Sequence, residues 1–198
     1  LPTIDFTKEH IDEVELFPYK KLFAEGLASV MVAHLNVPSL ETRENFPSSL
    51  SYNIVTNVLQ KQLGFEGLIF TDALNMKGAS NYKKPGEIDL AAFLAGNDVL
   101  LFAENVPLAL EKICTAYQDS VISEERLQKS VKKILNFKFK IGLNNYKSID
   151  TLNLFEDLNP SKDKALQYKL YENAITVLKN RDEILPIKNY EKEKIAYI

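Results

Sequence analysis

Asp72 ends the run Gly67-Leu68-Ile69-Phe70-Thr71-Asp72-Ala73-Leu74-Asn75-Met76-Lys77-Gly78. An apolar, partly β-branched stretch closes on a carboxylate, and a polar, glycine-containing loop follows. A buried parallel strand delivers one acid to the mouth of an α/β fold in this way. Such a group suits three roles: a nucleophile that attacks an anomeric carbon, a phosphate acceptor, or a cap for the backbone N–H groups of a loop. Position alone leaves all three open. His34 closes a second apolar run, Val30-Met31-Val32-Ala33-His34. If the two runs are adjacent parallel strands, His34 and Asp72 share one rim. There an imidazole can donate to a sugar hydroxyl or position a loop. Met76, four residues past Asp72, is either packing beneath the loop or an apolar wall for a sugar face or an acetyl methyl.

Other chemistries find no support. The chain has no Walker-type or dinucleotide glycine pattern and no Gly-x-Ser-x-Gly elbow. Its two histidines, His10 and His34, lack the spacing of a zinc site. His10 sits in a polar helical segment and is expected at the surface. Cys114 is the only cysteine, so neither an intramolecular disulfide nor a cysteine-rich metal site can form. It is expected as a small core residue on an apolar helix face. A net charge of −3, from 24 basic and 27 acidic residues, argues against nucleic acid or an anionic membrane as the main partner. The basic cluster Lys129, Lys132, Lys133, Lys138 and Lys140 is expected to form a solvated helix face. No apolar run reaches transmembrane length. The single cysteine is compatible with cytosol and periplasm alike.

The elements that must position these residues alternate. A helix is predicted over Phe6 to Glu25, broken or kinked at Pro18. A strand follows over Leu27 to His34, then a loop from Val37 to Pro47. Ser48 or Ser49 is expected to cap a helix with Leu50, Ile54, Val55, Val58, Leu59 and Leu63 at helical spacing, stopped by Gly64. The Asp72 strand comes next, then a loop from Asn75 to Gly86, a helix over Glu87 to Ala95 and a third strand over Gly96 to Phe102. Val106, Leu110, Ile113, Cys114 and Tyr117 line the following helix. Ser123 is expected to cap another, with Leu127, Val131, Ile134 and Leu135 inward and Gly142 beyond its end. Three strand–helix units in series imply parallel strands with right-handed crossovers, in an open doubly wound sheet or a closed eight-stranded barrel. Three strands cannot close a barrel. Residues 146–164 turn polar and suggest a linker. A helix over Ser161 to Asn173 and a strand Ile175-Thr176-Val177-Leu178 come next. After a turn over Asn180 to Glu183, Ile184-Leu185-Pro186-Ile187 and a final strand Lys194 to Ile198 suggest a second domain. The lack of an initiator Met at Leu1-Pro2-Thr3-Ile4 suggests a chain that starts in mid-protein.

These blocks, in this order, resemble the family 3 glycoside hydrolases, and within them the β-N-acetylglucosaminidase branch. The matching pieces are Val30 to Leu35 with Val37-Pro38, Pro47 to Ser51, Leu63 to Met76, Ala95 to Leu101, Ala174 to Asn180 and Leu185-Pro186-Ile187. The resemblance implies an α/β fold: the C-terminal part of a (β/α)8 TIM barrel over residues 1–145 (about three βα units), a linker and connecting helix over 146–173, and the start of a second α/β domain over 174–198. It implies Asp72 as the nucleophile of a retaining mechanism, with His34 and Met76 at the substrate. It implies a carbohydrate partner, terminal β-linked N-acetylglucosamine, and no metal or organic cofactor. The family's acid/base histidine belongs to a Lys-His-Phe-Pro-Gly-His-Gly type segment that is absent here, along with the sugar-binding residues of the earlier strands. These 198 residues alone are therefore expected not to turn over substrate efficiently.

Two rivals come from other classes. A receiver domain also ends a strand on a phosphate-accepting Asp, but it needs an acidic pair where this chain has Ala33-His34, and a Lys where it has Ala103-Glu104-Asn105. A barrel-derived binding module that has lost catalysis fits the same blocks.

Overall fold

Pro18 breaks the N-terminal helix, as its missing N–H requires. The predicted Phe6–Glu25 helix forms three pieces: α1 (Lys8–His10), a π-type turn over Ile11–Glu15, and α2 (Phe17–Ala24), which restarts with Pro18 in its first turn. The computed structural model describes residues 1–181, 185–187 and 191. The chain divides into two units, Leu1–Tyr146 and Lys147–Ile198.

Within the first unit, β1 (Ser29–Val32) pairs in parallel with β2 (Leu68–Thr71), Ser29 opposite Leu68 and Val32 opposite Thr71. The predicted third strand is reduced to a parallel bridge between Phe70 and Val99. The Thr71 N–H donates to the Val99 carbonyl at 3.0 Å, and the Val99 N–H to the Ile69 carbonyl at 3.1 Å. Helical segments separate the paired segments in sequence, which the parallel arrangement requires.

The segment between β1 and β2 departs from expectation. Ser48–Leu50 form a 3-10 turn of their own, and the helix proper is a π-type helix over Asn53–Gln62. Ser51 caps it, accepting the Ile54 N–H at 3.2 Å, in place of Ser48 or Ser49. Gly64 ends it at φ +68°.

After β2 come α3 (Lys77–Ser80) and α4 (Glu87–Ala95). Gly96 follows at φ +119°, and a side chain there would also collide with Thr56 Oγ1 and Gln60 Nε2. Those two groups donate to the Ala95 and Gly96 carbonyls at 2.7 and 3.0 Å, closing the end of α4. Then come α5 (Val106–Gln118), capped by Asn105, and α6 (Glu124–Lys140), capped by Ser123.

Val55, Phe65, Ile69 and Ala95 pack one core between the π-type helix, β2 and α4. Phe46, Leu50, Leu74, Ala79, Ile88 and Ala92 pack a second beneath the loop that follows Asp72.

Helix faces were harder to foresee. Cys114 is exposed, because Ala109 and Ala116 form the inward face of α5 and Cys114 lies to the side of that line. On α6, Ser130 is buried while Val131 and Leu135 are exposed. The inward side of that helix is mixed: Leu127 packs against Phe93, Ala116 and Ile122, and Ile134 is half-buried, as expected, beside the buried Ser130. Lys133, expected in a solvated cluster, donates to the Gly67 carbonyl and to Asp98.

In the second unit, the polar stretch predicted as linker contains α7 (Leu154–Leu158), and α8 (Ser161–Ala174) follows. Residues 175–178 form no strand: among the described residues they find no pairing partner, and an unpaired strand is not stable alone. Residues 182–184 and the predicted final strand over 194–198 lie outside the described residues. Among the described residues no helix is long and apolar enough to cross a membrane.

Candidate active site

The β1–β2 register brings the sequence-predicted residues together. Asp72 follows β2 directly, and its N–H donates to the Val32 carbonyl at 2.9 Å, extending the ladder past the last paired residues. Continuing the register sets His34 opposite Ala73, and the two are bonded: His34 Nε2 lies 3.0 Å from the Ala73 carbonyl oxygen. His34 and Asp72 thus share the C-terminal end of the strands.

Asp72 is partly buried. Its Oδ1 accepts the Ala73 N–H at 2.8 Å. Among the described residues, no hydrogen bond reaches Oδ2 and no cation pairs with the carboxylate. One oxygen is held by backbone while the other is available to a ligand. Neighbouring contacts fix the strand end. The Thr71 hydroxyl accepts the Leu101 N–H at 2.9 Å, the Leu74 N–H donates to the Leu101 carbonyl at 2.9 Å, and the Leu74 side chain is buried in the second core.

His34 is 4% exposed, and both ring nitrogens are engaged. Nδ1 lies 2.6 Å from Ser49 Oγ. This arrangement leaves no ring nitrogen for a sugar hydroxyl. Met76, by contrast, is 49% exposed. Its N–H donates to the Ala73 carbonyl at 3.0 Å, so the turn that carries Met76 closes on the same oxygen that His34 holds.

Sequence reasoning missed the serines that support this rim. Ser48 donates its hydroxyl to the Ala33 carbonyl at 2.6 Å and accepts the Leu35 N–H at 3.0 Å, gripping the backbone on both sides of His34. The available signal was three serines in the four residues Ser48 to Ser51, more hydroxyls than one helix cap needs.

Two further polar networks lie away from Asp72. Glu41, 2% exposed, accepts from Arg43 Nε and Nη2 at 2.9 and 2.7 Å and from Ser51 Oγ. The Arg43 guanidinium holds the Glu41 carboxyl down at about 2, and Arg43 stacks 3.5 Å over the Phe46 ring. At the opposite end of β2, buried Asp98 accepts the Ile69 N–H and Lys133 Nζ, each at 3.1 Å, and the Ser130 hydroxyl. Arg126 Nη1 stands 3.9 Å away, and burial lowers the Arg126 pKa. Among the described residues, no cluster of His, Cys, Asp and Glu has the makings of a metal site.

Residues 1–137 match the family described as glycosyl hydrolase family 3 N terminal domain. Beta-hexosaminidase A of Pseudoalteromonas piscicida is 27% identical over 214 aligned residues, covering 96% of this chain and 34% of its own length. A Cellulomonas fimi protein named beta-N-acetylglucosaminidase/beta-glucosidase is 25% identical over 177, covering 85% and 31%. The solved structure of a family 3 beta-N-acetylglucosaminidase from Paenibacillus superposes with a TM-score of 0.81 at 30% identity, covering 93% of this chain and 35% of that one. The chain spans about a third of the length of these relatives. A match that runs over more than half of the chain makes it a member of glycosyl hydrolase family 3.

Proposed function

We propose that this chain is the nucleophile-bearing part of a retaining glycosidase that removes terminal β-linked N-acetylglucosamine, from peptidoglycan- or chitin-type fragments. In this reading residues 1–145 are the C-terminal part of a (β/α)8 barrel, 146–173 a linker and connecting helix, and 174–198 the start of a second α/β domain. The observation that carries the reading is Asp72 itself. It is a carboxylate at the C-terminal end of a parallel strand, where enzymes of barrel architecture keep their chemistry. One of its oxygens is anchored by the Ala73 N–H.

The reaction takes two displacements. Asp72 Oδ2 attacks the anomeric carbon, and the glycosidic C–O bond breaks with its electron pair leaving on the aglycone oxygen. An acid from outside this chain protonates that oxygen. Water then attacks the glycosyl-aspartate, giving its proton to the same group, and the Asp72 carboxylate departs. Met76 supplies an exposed apolar surface beside the sugar. The two-carboxylate or carboxylate–imidazole logic of such sites needs that second group, so residues 1–198 alone do not turn over substrate efficiently.

The test is covalent trapping on the full-length protein with a 2-fluoro glycoside. A mass gain on a peptide containing Asp72, with loss of turnover by at least about a thousandfold in Asp72→Asn, is the expected result. No adduct together with an unaffected Asp72→Asn variant would overturn the reading in favour of a non-catalytic module. Rates on matched aryl N-acetylglucosaminides and glucosides decide between the two activities in the Cellulomonas fimi relative's name.

A further inference from the structure

We propose that Ser49 and His34 form a positioning device for Asp72, acting through the Ala73 carbonyl; this rests on Asp72 being the nucleophile. The hydrogen-bond chemistry fixes the arrangement. A carbonyl only accepts, so the proton facing Ala73 is on His34 Nε2. The other nitrogen, Nδ1, is bonded to the Ser49 hydroxyl at 2.6 Å, a group that can donate or accept. The ring is held between a fully buried hydroxyl and a backbone oxygen.

Both ends of this relay are themselves fixed. The Ser49 carbonyl accepts Asn97 Nδ2 at 2.8 Å, and that amide also donates to the Ala92 carbonyl at 2.7 Å, tying the turn to the end of α4. Ser48 clamps the chain on either side of His34. At the far end, Ala73 has two jobs. Its N–H orients Asp72 Oδ1, and its carbonyl takes both His34 Nε2 and the Met76 N–H. The residue that aims the carboxylate is therefore the residue the imidazole grips. Without the ring, the Ala73 carbonyl keeps only the Met76 turn, and the aim of Oδ2 relaxes.

The role differs from that of a sugar contact. A contact to substrate contributes to ground-state binding, whereas a device that aims Asp72 acts on the attacking step. A misplacement of about 1 Å in a reacting group costs about a hundredfold in rate.

Ser49→Ala, His34→Ala and His34→Gln in the full-length protein separate the cases. The rate of trapping by a 2-fluoro glycoside, kcat, KM and the unfolding midpoint are read for each. Ser49→Ala and His34→Ala are expected to slow trapping and kcat by about ten- to a hundredfold, with KM within about twofold. His34→Gln, whose amide can still donate to Ala73, is expected to recover part of the loss relative to His34→Ala. Trapping at the wild-type rate in both alanine variants, with the adduct still on Asp72, overturns the device while leaving the nucleophile in place. A rise in KM with unchanged trapping also overturns it, by assigning His34 to ground-state binding. Should Ser49→Ala fail to fold, the two His34 variants decide: a Gln variant no faster than Ala overturns the proposal. Loss of the adduct from Asp72 itself would instead mark failure of the underlying reading.

Discussion

Asp98→Ala tests the account of how β2 is anchored at the end away from Asp72. Asp98 is buried and serves three donors: the Ile69 N–H at 3.1 Å, Lys133 Nζ at 3.1 Å and the Ser130 hydroxyl. Arg126 adds a weaker attraction at 3.9 Å. Removing the carboxylate leaves a backbone N–H inside β2 without a partner, a cost of about 1–3 kcal/mol. It also leaves the Lys133 ammonium, whose side chain is 14% exposed, without its counter-charge. Breaking such a buried pair costs about 3–5 kcal/mol. The two losses share one group and do not add, so the expected destabilisation is about 3–5 kcal/mol. Asp98→Asn keeps an acceptor for Ile69, though it removes the charge and puts an N–H donor in place of the oxygen that faces Ser130, so it costs less than Asp98→Ala. Urea unfolding of the intact protein reads both, as the change in midpoint at constant slope. Because the network lies at the other end of the strand, kcat of the folded variants stays near wild type. An Asp98→Ala variant within about 1 kcal/mol of wild type would refute the reasoning, since it would mean that Ile69 and Lys133 find other partners at no cost.

Glu41 gives a pH-dependent case. Its carboxyl is held at about 2 against an ordinary 4.5, chiefly by Arg43. The resulting stability is fully present above about pH 4.5 and is lost as pH falls through about 2; with half-exposed Arg43 as the partner, it amounts to about 1–2 kcal/mol. Glu41→Gln should flatten the loss of stability between those pH values, and an unchanged acid limb would count against the pairing. Gly67→Ala should destabilise by about 1–3 kcal/mol, because a Cβ there would lie 2.6 Å from the Ala28 carbonyl oxygen, which is held by the Leu68 N–H. A variant of wild-type stability would show that the start of the β1–β2 pairing can yield.

Much of the order of elements was legible because apolar runs and glycines carry it. Leu68 to Thr71 is apolar and buried enough to announce a strand, and Gly64 and Gly142 end their helices at positive φ, where side chains are disfavoured. The place of Asp72 at the strand end was legible for the same reason: a charge at the end of such a run stands out. The polar supports were not. Ser49 is a serine like any helix cap until the fold brings His34 against it, fifteen residues away in sequence. The face of α6 was read only in part: Leu127 packs inward as expected, but Val131 and Leu135 are exposed, because periodicity counts apolar residues as inward while this helix turns Ser130 and Lys133 toward Asp98. Hydrogen-bond partners distant in sequence leave no periodic trace, so buried polar networks are invisible to patterning. His34 shows the difference within one residue. Its place on the rim follows from the parallel strands, but its engagement on both nitrogens depends on a turn that patterning had assigned to capping.

The four acids of the first unit that matter most differ in what surrounds them, and the difference separates stability from chemistry. Glu41 and Asp98 are buried against Arg43 and Lys133, which occupy their lone pairs. Asp89 is buried at the start of α4, where one oxygen accepts the Gly86 N–H and burial raises its pKa. Glu41 and Asp98 cannot reach a ligand without breaking what holds them, and Asp89 is fully buried. Asp72 is different: among the described residues it has a backbone N–H on one oxygen, no cation, and partial exposure at the strand end. A cation bonded to the carboxylate would lower its basicity and occupy the attacking lone pair. An N–H from the next residue orients the group while leaving the second oxygen its full acceptor capacity. The arrangement therefore favours a nucleophile over a structural ion pair, and it makes the aim of that oxygen depend on Ala73, the residue His34 holds.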